Sequence, residues 1–163
     1  MPTRTSLDAI DVRLLALLQE DGRRSFAELG GDVGLSAPSV HERVKKLEAR
    51  GVITRYAALV DAAAAGVPLL AFVRLTQAPG TAGADLTSAF EAIAEVEECH
   101  HIAGEADYLL KVRTRDTAHL ERVVLALQTT EHVFTTETSV VLSSAFERRG
   151  VPLGVETDVT NGT

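Results

Sequence analysis

One cysteine in 163 residues, Cys99, excludes an internal disulfide and a thiolate metal cluster, so the fold is held by packing and a reducing compartment fits. No apolar run approaches the roughly 18 residues that a helix needs to cross a bilayer, which excludes a helical membrane span. The opening Met-Pro-Thr-Arg-Thr-Ser-Leu-Asp lacks the apolar stretch of a signal peptide, and the expected location is the cytoplasm. Also missing are a Gly-rich phosphate loop, an HExxH helix and a Gly-x-Ser-x-Gly elbow. Nothing marks a nucleophile with its base, so no catalytic residue and no cofactor are assigned. There is no tandem repeat, and the only low-complexity tract is Ala62 to Ala65.

What is present is enough apolar sequence, 45%, to bury one fair-sized core or two small ones. The net charge of -7 is distributed unevenly. Residues 1 to 60 hold nine Lys/Arg (Arg4, Arg13, Arg23, Arg24, Arg43, Lys45, Lys46, Arg50, Arg55) against eight Asp/Glu, a net of +1. The remainder holds seven against fifteen, a net of -8. A basic surface on the first part tolerates an acidic second part, because salt screens exposed charges over about 10 Å.

Three helical patterns fill the first sixty residues. The first runs from about Asp8 to Glu20, with Ile10, Leu14, Leu17 and Leu18 on one stripe and Asp21-Gly22 at its end. The second opens on Ser25-Phe-Ala-Glu28, a capping box in which each side chain satisfies an exposed backbone N–H, and closes near Gly34. The third opens on Ser36, carries Pro38 in its first turn where a missing N–H costs nothing, buries Val40, Val44 and Leu47, and stops at Gly51. Two short helices separated by Gly34-Leu35-Ser36 match a helix-turn-helix, whose second member enters the DNA major groove. At 100° per residue, Ser39, Arg43, Lys46 and Arg50 fall within about 60° of one another, off the core stripe. The helix N-terminus, with Ser36 and Ser39 beside free N–H groups, is a ready phosphate site, and Arg24 precedes the second helix. The candidate DNA contacts are Arg24, Ser25, Ser36, Ser39, His41, Arg43, Lys46 and Arg50. The same charges equally fit a solvated face, with Glu42 and Glu48 as helical partners.

The segment Val52 to Val60 is β-branched and aromatic without a helical stripe, and reads as a strand or wing followed by a connector. Beyond Gly66 the pattern is strand, helix, strand, strand, helix, strand: Leu69 to Thr76, Ala84 to Glu95, Val96 to Ala103, Tyr108 to Thr114, Ala118 to Gln128 and Val133 to Phe146. This is the βαββαβ order of a ferredoxin-like domain, so the fold class is α+β. Helices cover one face of such a sheet, and Leu70, Phe72, Val73 and Leu75 supply side chains for both faces, so homo-oligomerisation is expected. The expected organisation is a winged helix-turn-helix over 1–53, a hinge over 54–67, the sheet domain over 68–147 and a tail over 148–163 whose end is expected to be mobile.

Five stretches carry a resemblance to a known family: Leu7-Asp8-Ala-Ile-Asp11; Leu18-Gln-Glu-Asp-Gly22-Arg23; Val33-Gly-Leu-Ser36; Glu42-Arg43-Val44-Lys-Lys-Leu47-Glu48-Ala-Arg-Gly51-Val-Ile53; and Glu98-Cys99-His100-His-Ile-Ala-Gly104-Glu-Ala-Asp107-Tyr108-Leu-Leu-Lys111. From Ser6 to about Glu147 the chain resembles the leucine-responsive regulator/AsnC, or feast/famine, family. The resemblance implies a DNA-binding regulator of amino-acid metabolism whose dimers pair sheets and assemble to tetramers or octamers. An amino acid or related effector would bind between dimers. The family's pocket is associated with a Gly-x-x-Asp-Tyr turn, here Gly104-Glu105-Ala106-Asp107-Tyr108. Asp107 would suit an ammonium and the turn's N–H groups a carboxylate. Across a dimer contact, Thr136, Ser139 and Val141 would complete the pocket. His101 stands where the family often has an aliphatic residue, and Glu105 adds a second acid. The expected effector set is therefore His101, Gly104, Glu105, Asp107, Tyr108, Thr136, Ser139 and Val141. Without the resemblance, Gly104 to Asp107 reads first as a hairpin turn built from residues that tolerate unusual backbone angles.

Cys99-His100-His101 resembles a metal motif, but on a strand only Cys99 and His101 share a side and no fourth ligand follows, so a structural role is expected. The alternative function is an enzyme similar to the siroheme decarboxylases, which resemble this family and would use His100 or His101 near a tetrapyrrole. A third is a regulator that compacts DNA with little sequence preference.

Overall fold

The computed structural model describes residues 7–81, 86–147 and 149–153. Arg4, Ser6, the opening of the 84–95 helix, Arg148 and the tail from 154 onward lie outside the described residues. The chain divides into two units, one of residues up to Ala58 together with those from Phe146, the other of Leu59–Ala145.

In the first unit each helix starts at its cap. Helix α1, Ala9–Glu20, opens on Asp8, whose carboxylate accepts from the Asp11 N–H at 2.7 Å while the Asp11 carboxylate accepts from the Asp8 N–H at 3.4 Å. Two aspartates thus make a reciprocal capping box. The Asp11 N–H, and after it the Arg43 guanidinium, hold the Asp8 carboxyl below the usual carboxylate range. Helix α2, Phe26–Val33, opens on the expected Ser25–Glu28 box and closes on Gly34 at φ 70°, a left-handed conformation that glycine adopts without strain. Helix α3, Ala37–Ala49, opens on Ser36 with Pro38 in its first turn. Leu14, Leu17, Leu29, Val40 and Val44 close a small core, ringed by Ile10, Leu18, Val33, Leu35 and Ile53. The turn between α2 and α3 is tight. The Leu35 N–H donates to the Gly30 carbonyl at 2.9 Å, and a Cβ on Gly30 would fall well inside van der Waals contact with the Leu35 carbonyl oxygen.

The expected strand or wing over 52–60 is not formed: these residues carry no strand. An extended segment becomes a strand only when a neighbour supplies its ladder hydrogen bonds, and side chains hold this one instead. The Tyr56 ring lies over Gly22 and its hydroxyl donates to Glu48 at 2.9 Å. Burial, then that bond to a carboxylate, pushes the Tyr56 phenol up to about 12. The returning chain end joins the same unit, with Gln19 Nε2 donating to the Val151 carbonyl at 3.2 Å. Val151, Pro152 and Leu153 line a cleft of about 480 Å³ together with Leu15 and Leu18.

The second unit has the expected βαββαβ order: β1 Leu69–Gln77, α4 Thr87–Glu91, β2 Val96–His101, β3 Tyr108–Thr114, α5 Thr117–Gln128 and β4 Val133–Val140. The strands lie in the order β2-β3-β1-β4 with every neighbour antiparallel, the ferredoxin-like arrangement. Alternation sends Ala71, Val73, Leu75, Leu110 and Val112 to the helix-covered face, where they pack with Phe90, Leu120, Val123 and Leu127. Leu70 and Phe72 take the other face. That face is built from ion pairs as much as from apolar side chains. Lys111 Nζ lies 3.3 Å from Glu97 and 3.2 Å from Glu98, Arg113 Nε 2.8 Å from Glu97, and Arg74 Nη1 2.8 Å from Glu137. Lys111 and Arg113 are each 7% exposed, charged heads included, and the carboxylates of Glu97 and Glu98 offset that burial.

Three elements are shorter than expected, β2 by two residues, since it ends at His101 rather than Ala103. Helix α4 ends at Glu91, and Ile93 turns the chain into β2, with the Val96 N–H donating to the Ile93 carbonyl at 3.0 Å. Strand β4 ends at Val140 rather than Phe146, because its partner β1 begins at Leu69 and the last ladder bond is already made by the Val141 N–H to the Leu70 carbonyl at 2.9 Å.

Candidate DNA-reading helix and effector cleft

Helix α3 buries Val40, Val44 and Leu47, and this stripe fixes where every other residue of the helix points. Arg43 flanks the stripe rather than opposing it. Its Nη1 donates to Asp8 Oδ2 at 2.7 Å and to Asp11 Oδ1 at 2.8 Å, with Asp11 only 7% exposed. Arg43 thereby ties α3 to the capping box of α1. Lys45 and Lys46 each lie about 130° from the centre of the stripe, one on each side, and both are exposed, as are His41 and Arg50. Lys45 is missing from the set expected from the sequence, although the same helical arithmetic places it on the outward side.

The remaining members of that set are held locally. Ser36 accepts from the Ser39 N–H at 3.4 Å, and the two hydroxyls are 2.8 Å apart. Ser25 caps α2, Arg24 is ion-paired with Asp32, and the His41 ring lies 5.0 Å from that of Phe26 with Nδ1 4.0 Å from Glu42. A surface of hydroxyls at the start of α3 and cations along it presents donors and positive charge together, which is what a phosphate backbone requires.

In the second unit the β2–β3 connection is pinned by three bonds around Asp107. The Ile102 N–H donates to the Asp107 carbonyl at 2.8 Å, the Asp107 N–H to the Leu75 carbonyl at 2.9 Å, and the Gln77 N–H to Asp107 Oδ2 at 2.7 Å. The last of these sits where the β1–β4 register slips between Thr76 and Gln77. Asp107 therefore anchors the turn against a bulge. Tyr108 turns into the core, its ring 5.5 Å from Phe90 in an edge-on contact and 5.1 Å from His101.

Beside this turn opens a cleft of about 510 Å³, lined by Glu105 and Thr136 of the expected set and by Arg74, Thr76, Thr135 and Glu137, with Ile102 and Ala106 as apolar wall. His101, Gly104, Asp107 and Tyr108 do not line it. Ser139 pairs with Phe72 and Val141 bonds Leu70, whereas Thr136 pairs with Leu75 beside the turn. Ser139, further along β4, and Val141, just past its end, do not line the cleft, whereas Thr136, expected with them from across a contact, lines it within the same copy. Cys99 and His101 do share the helix-covered side, while His100 faces Glu98 at 3.2 Å. Burial alone raises the Cys99 thiol. Among the described residues no group of three His, Cys, Asp or Glu side chains is placed to hold a metal.

Two family models match, an AsnC-type helix-turn-helix domain over 7–48 and an Lrp/AsnC ligand binding domain over 70–151. The HTH-type transcriptional regulator LrpA of Mycobacterium tuberculosis is 37% identical over 147 residues, which is 90% of this chain and 98% of that protein. The chain belongs to the Lrp/AsnC family. This regulator is also similar to the proline dehydrogenase transcriptional activator of Rhizobium radiobacter, 40% identical over 144 residues, 86% of this chain and 92% of that one. A solved transcriptional regulator of Neisseria meningitidis, in complex with L-Met, superposes with a TM-score of 0.86 at 32% identity, covering 91% of this chain and 97% of that one. Relatives matched over both units are transcriptional regulators, and this Lrp/AsnC member is one too, with a helix-turn-helix that binds DNA and no support for the decarboxylase alternative. Among its described residues no helix is long and apolar enough to cross a membrane.

Proposed function

We propose that this regulator reads a pseudo-palindromic operator as a dimer, with α3 in the major groove, and controls genes of amino-acid or related metabolism. The observation that carries this reading is the outward face of α3, where His41, Lys45, Lys46 and Arg50 stand exposed beside the Ser36–Ser39 cap. In it, Lys45, Lys46 and Arg50 meet phosphates and base edges, and the Ser36 and Ser39 hydroxyls hold a phosphate. Arg24 and Ser25 at the start of α2 add a second phosphate contact. Arg43 positions α3.

The effector is an amino acid, a reading supported by the L-Met complex of the Neisseria relative. It occupies the cleft beside the Gly104–Asp107 turn, with Ser139 and Val141 contributed by a second copy. Dimers assemble to tetramers or octamers in the cytoplasm, and the hinge over 54–67 links assembly to the reading heads.

Fluorescence anisotropy with the DNA upstream of the gene tests the DNA half. Lys45→Ala with Lys46→Ala is expected to weaken binding and to lower the slope of log affinity against log salt by about 0.9 for each phosphate that the protein no longer neutralises. The melting temperature should stay within about 1 °C, because both side chains are solvated. An unchanged affinity and slope would remove α3 from the interface.

A further inference from the structure

We propose that the effector carries a second positive charge: an α-amino acid whose side chain ends in an ammonium or guanidinium group, selected by Glu105. This rests on the cleft beside the Gly104–Asp107 turn being the effector site.

The cleft holds three charges, Arg74, Glu137 and Glu105. Arg74 and Glu137 are directly opposed on β1 and β4, 2.8 Å apart, with side chains 46% and 70% exposed. A cation and an anion side by side, both open to solvent, complement the zwitterionic head of an amino acid: the guanidinium takes the carboxylate and Glu137 the ammonium. A guanidinium carries five N–H donors in a fork, and the contact with Glu137 is made through Nη1. With the head so neutralised, Glu105 is left over. It has no hydrogen-bond or ion-pair partner among the described residues, and it lies on the turn that forms the cleft's rim.

A neutral side chain leaves this exposed carboxylate to water, whereas a cationic side chain ends on it. The cleft's apolar lining is Ile102 and Ala106, surface suited to a methylene stem. The net charge of -8 beyond residue 60 draws cations toward this part of the chain in addition.

The test is calorimetric titration of the full chain with L-lysine, L-ornithine and L-arginine, against L-norleucine, which keeps the stem of lysine without its charge, and L-methionine. The cationic amino acids are expected to bind about tenfold or more tighter than norleucine, the scale of a charge-assisted hydrogen bond. Glu105→Gln should abolish that preference, and Arg74→Ala should weaken every amino acid. Equal or tighter binding of norleucine and methionine, still abolished in Arg74→Ala, would overturn the charge selection and keep the cleft. Binding of amino acids that is indifferent to both substitutions, or no binding of any amino acid, would overturn the cleft reading and this inference with it.

Discussion

Gly30→Ala should destabilise the helix-turn-helix unit, against the usual sign of that substitution. In a helix interior, glycine to alanine ordinarily stabilises by roughly 0.5–1 kcal/mol, because the unfolded chain loses freedom and the helix gains propensity. Gly30 lies in α2 with the Leu35 carbonyl directly over the place where a Cβ would stand, and that carbonyl belongs to the backbone that turns α2 into α3. A backbone atom cannot rotate away as a side-chain end can, so relief requires the turn to open. We expect a net loss of about 1–3 kcal/mol, the range for forcing extra volume into a filled site. The neighbouring Gly31 has nothing within 4 Å of its would-be Cβ, and Gly31→Ala should follow the ordinary sign. Denaturant melts of the two variants, read by the helical signal, compare them directly. Equal stabilisation by both would show that α2 and α3 do not approach closely at this turn.

Arg43→Ala should cost about 2 kcal/mol of stability and weaken DNA binding as a consequence, where Lys46→Ala should weaken DNA binding alone. The reason is what each leaves behind. Loss of Arg43 strands Asp11, 7% exposed, with its Oδ1 acceptor unsatisfied, and deprives the Asp8 carboxylate of a charged partner. Loss of Lys46 leaves solvent. Thermal melts with anisotropy on the same samples separate the two. An Arg43→Ala protein as stable as the parent but unable to bind DNA would return Arg43 to the DNA-contacting set.

Local signals made the helical half legible. Ser25–Glu28, Ser36, Pro38 and Gly34 act within four residues of their partners, and each helix begins or ends where they stand. The strand order was legible because the βαββαβ pattern admits few ways to pair. What stayed hidden depends on tertiary partners. Arg43 reads as one more cation on a helix until α1 brings Asp8 and Asp11 against it from 35 and 32 residues away. The length of β4 depends on where β1 begins, and the segment over 52–60 has the residues of a strand but no ladder partner. The cleft was half visible. Glu105 belongs to a recognisable turn, while Arg74 and Glu137 become neighbours only through the β1–β4 register, 63 positions apart in the chain. The same register shows the open sheet face, where Leu70 and Phe72 lie, to be threaded by ion pairs, and charge pairs across a contact set which face meets which more than they set affinity.

The central claim, a sequence-reading regulator, is tested most directly by one comparison: the full chain titrated by anisotropy against the duplex upstream of its own gene and against a scrambled duplex of equal length and composition, at one fixed salt concentration. The native duplex should bind on the order of a thousandfold or more tighter, the lower end of the range for specific over non-specific recognition. Equal affinity for the two duplexes, falling together as salt is raised, would contradict it and leave a protein that holds DNA by its phosphates alone.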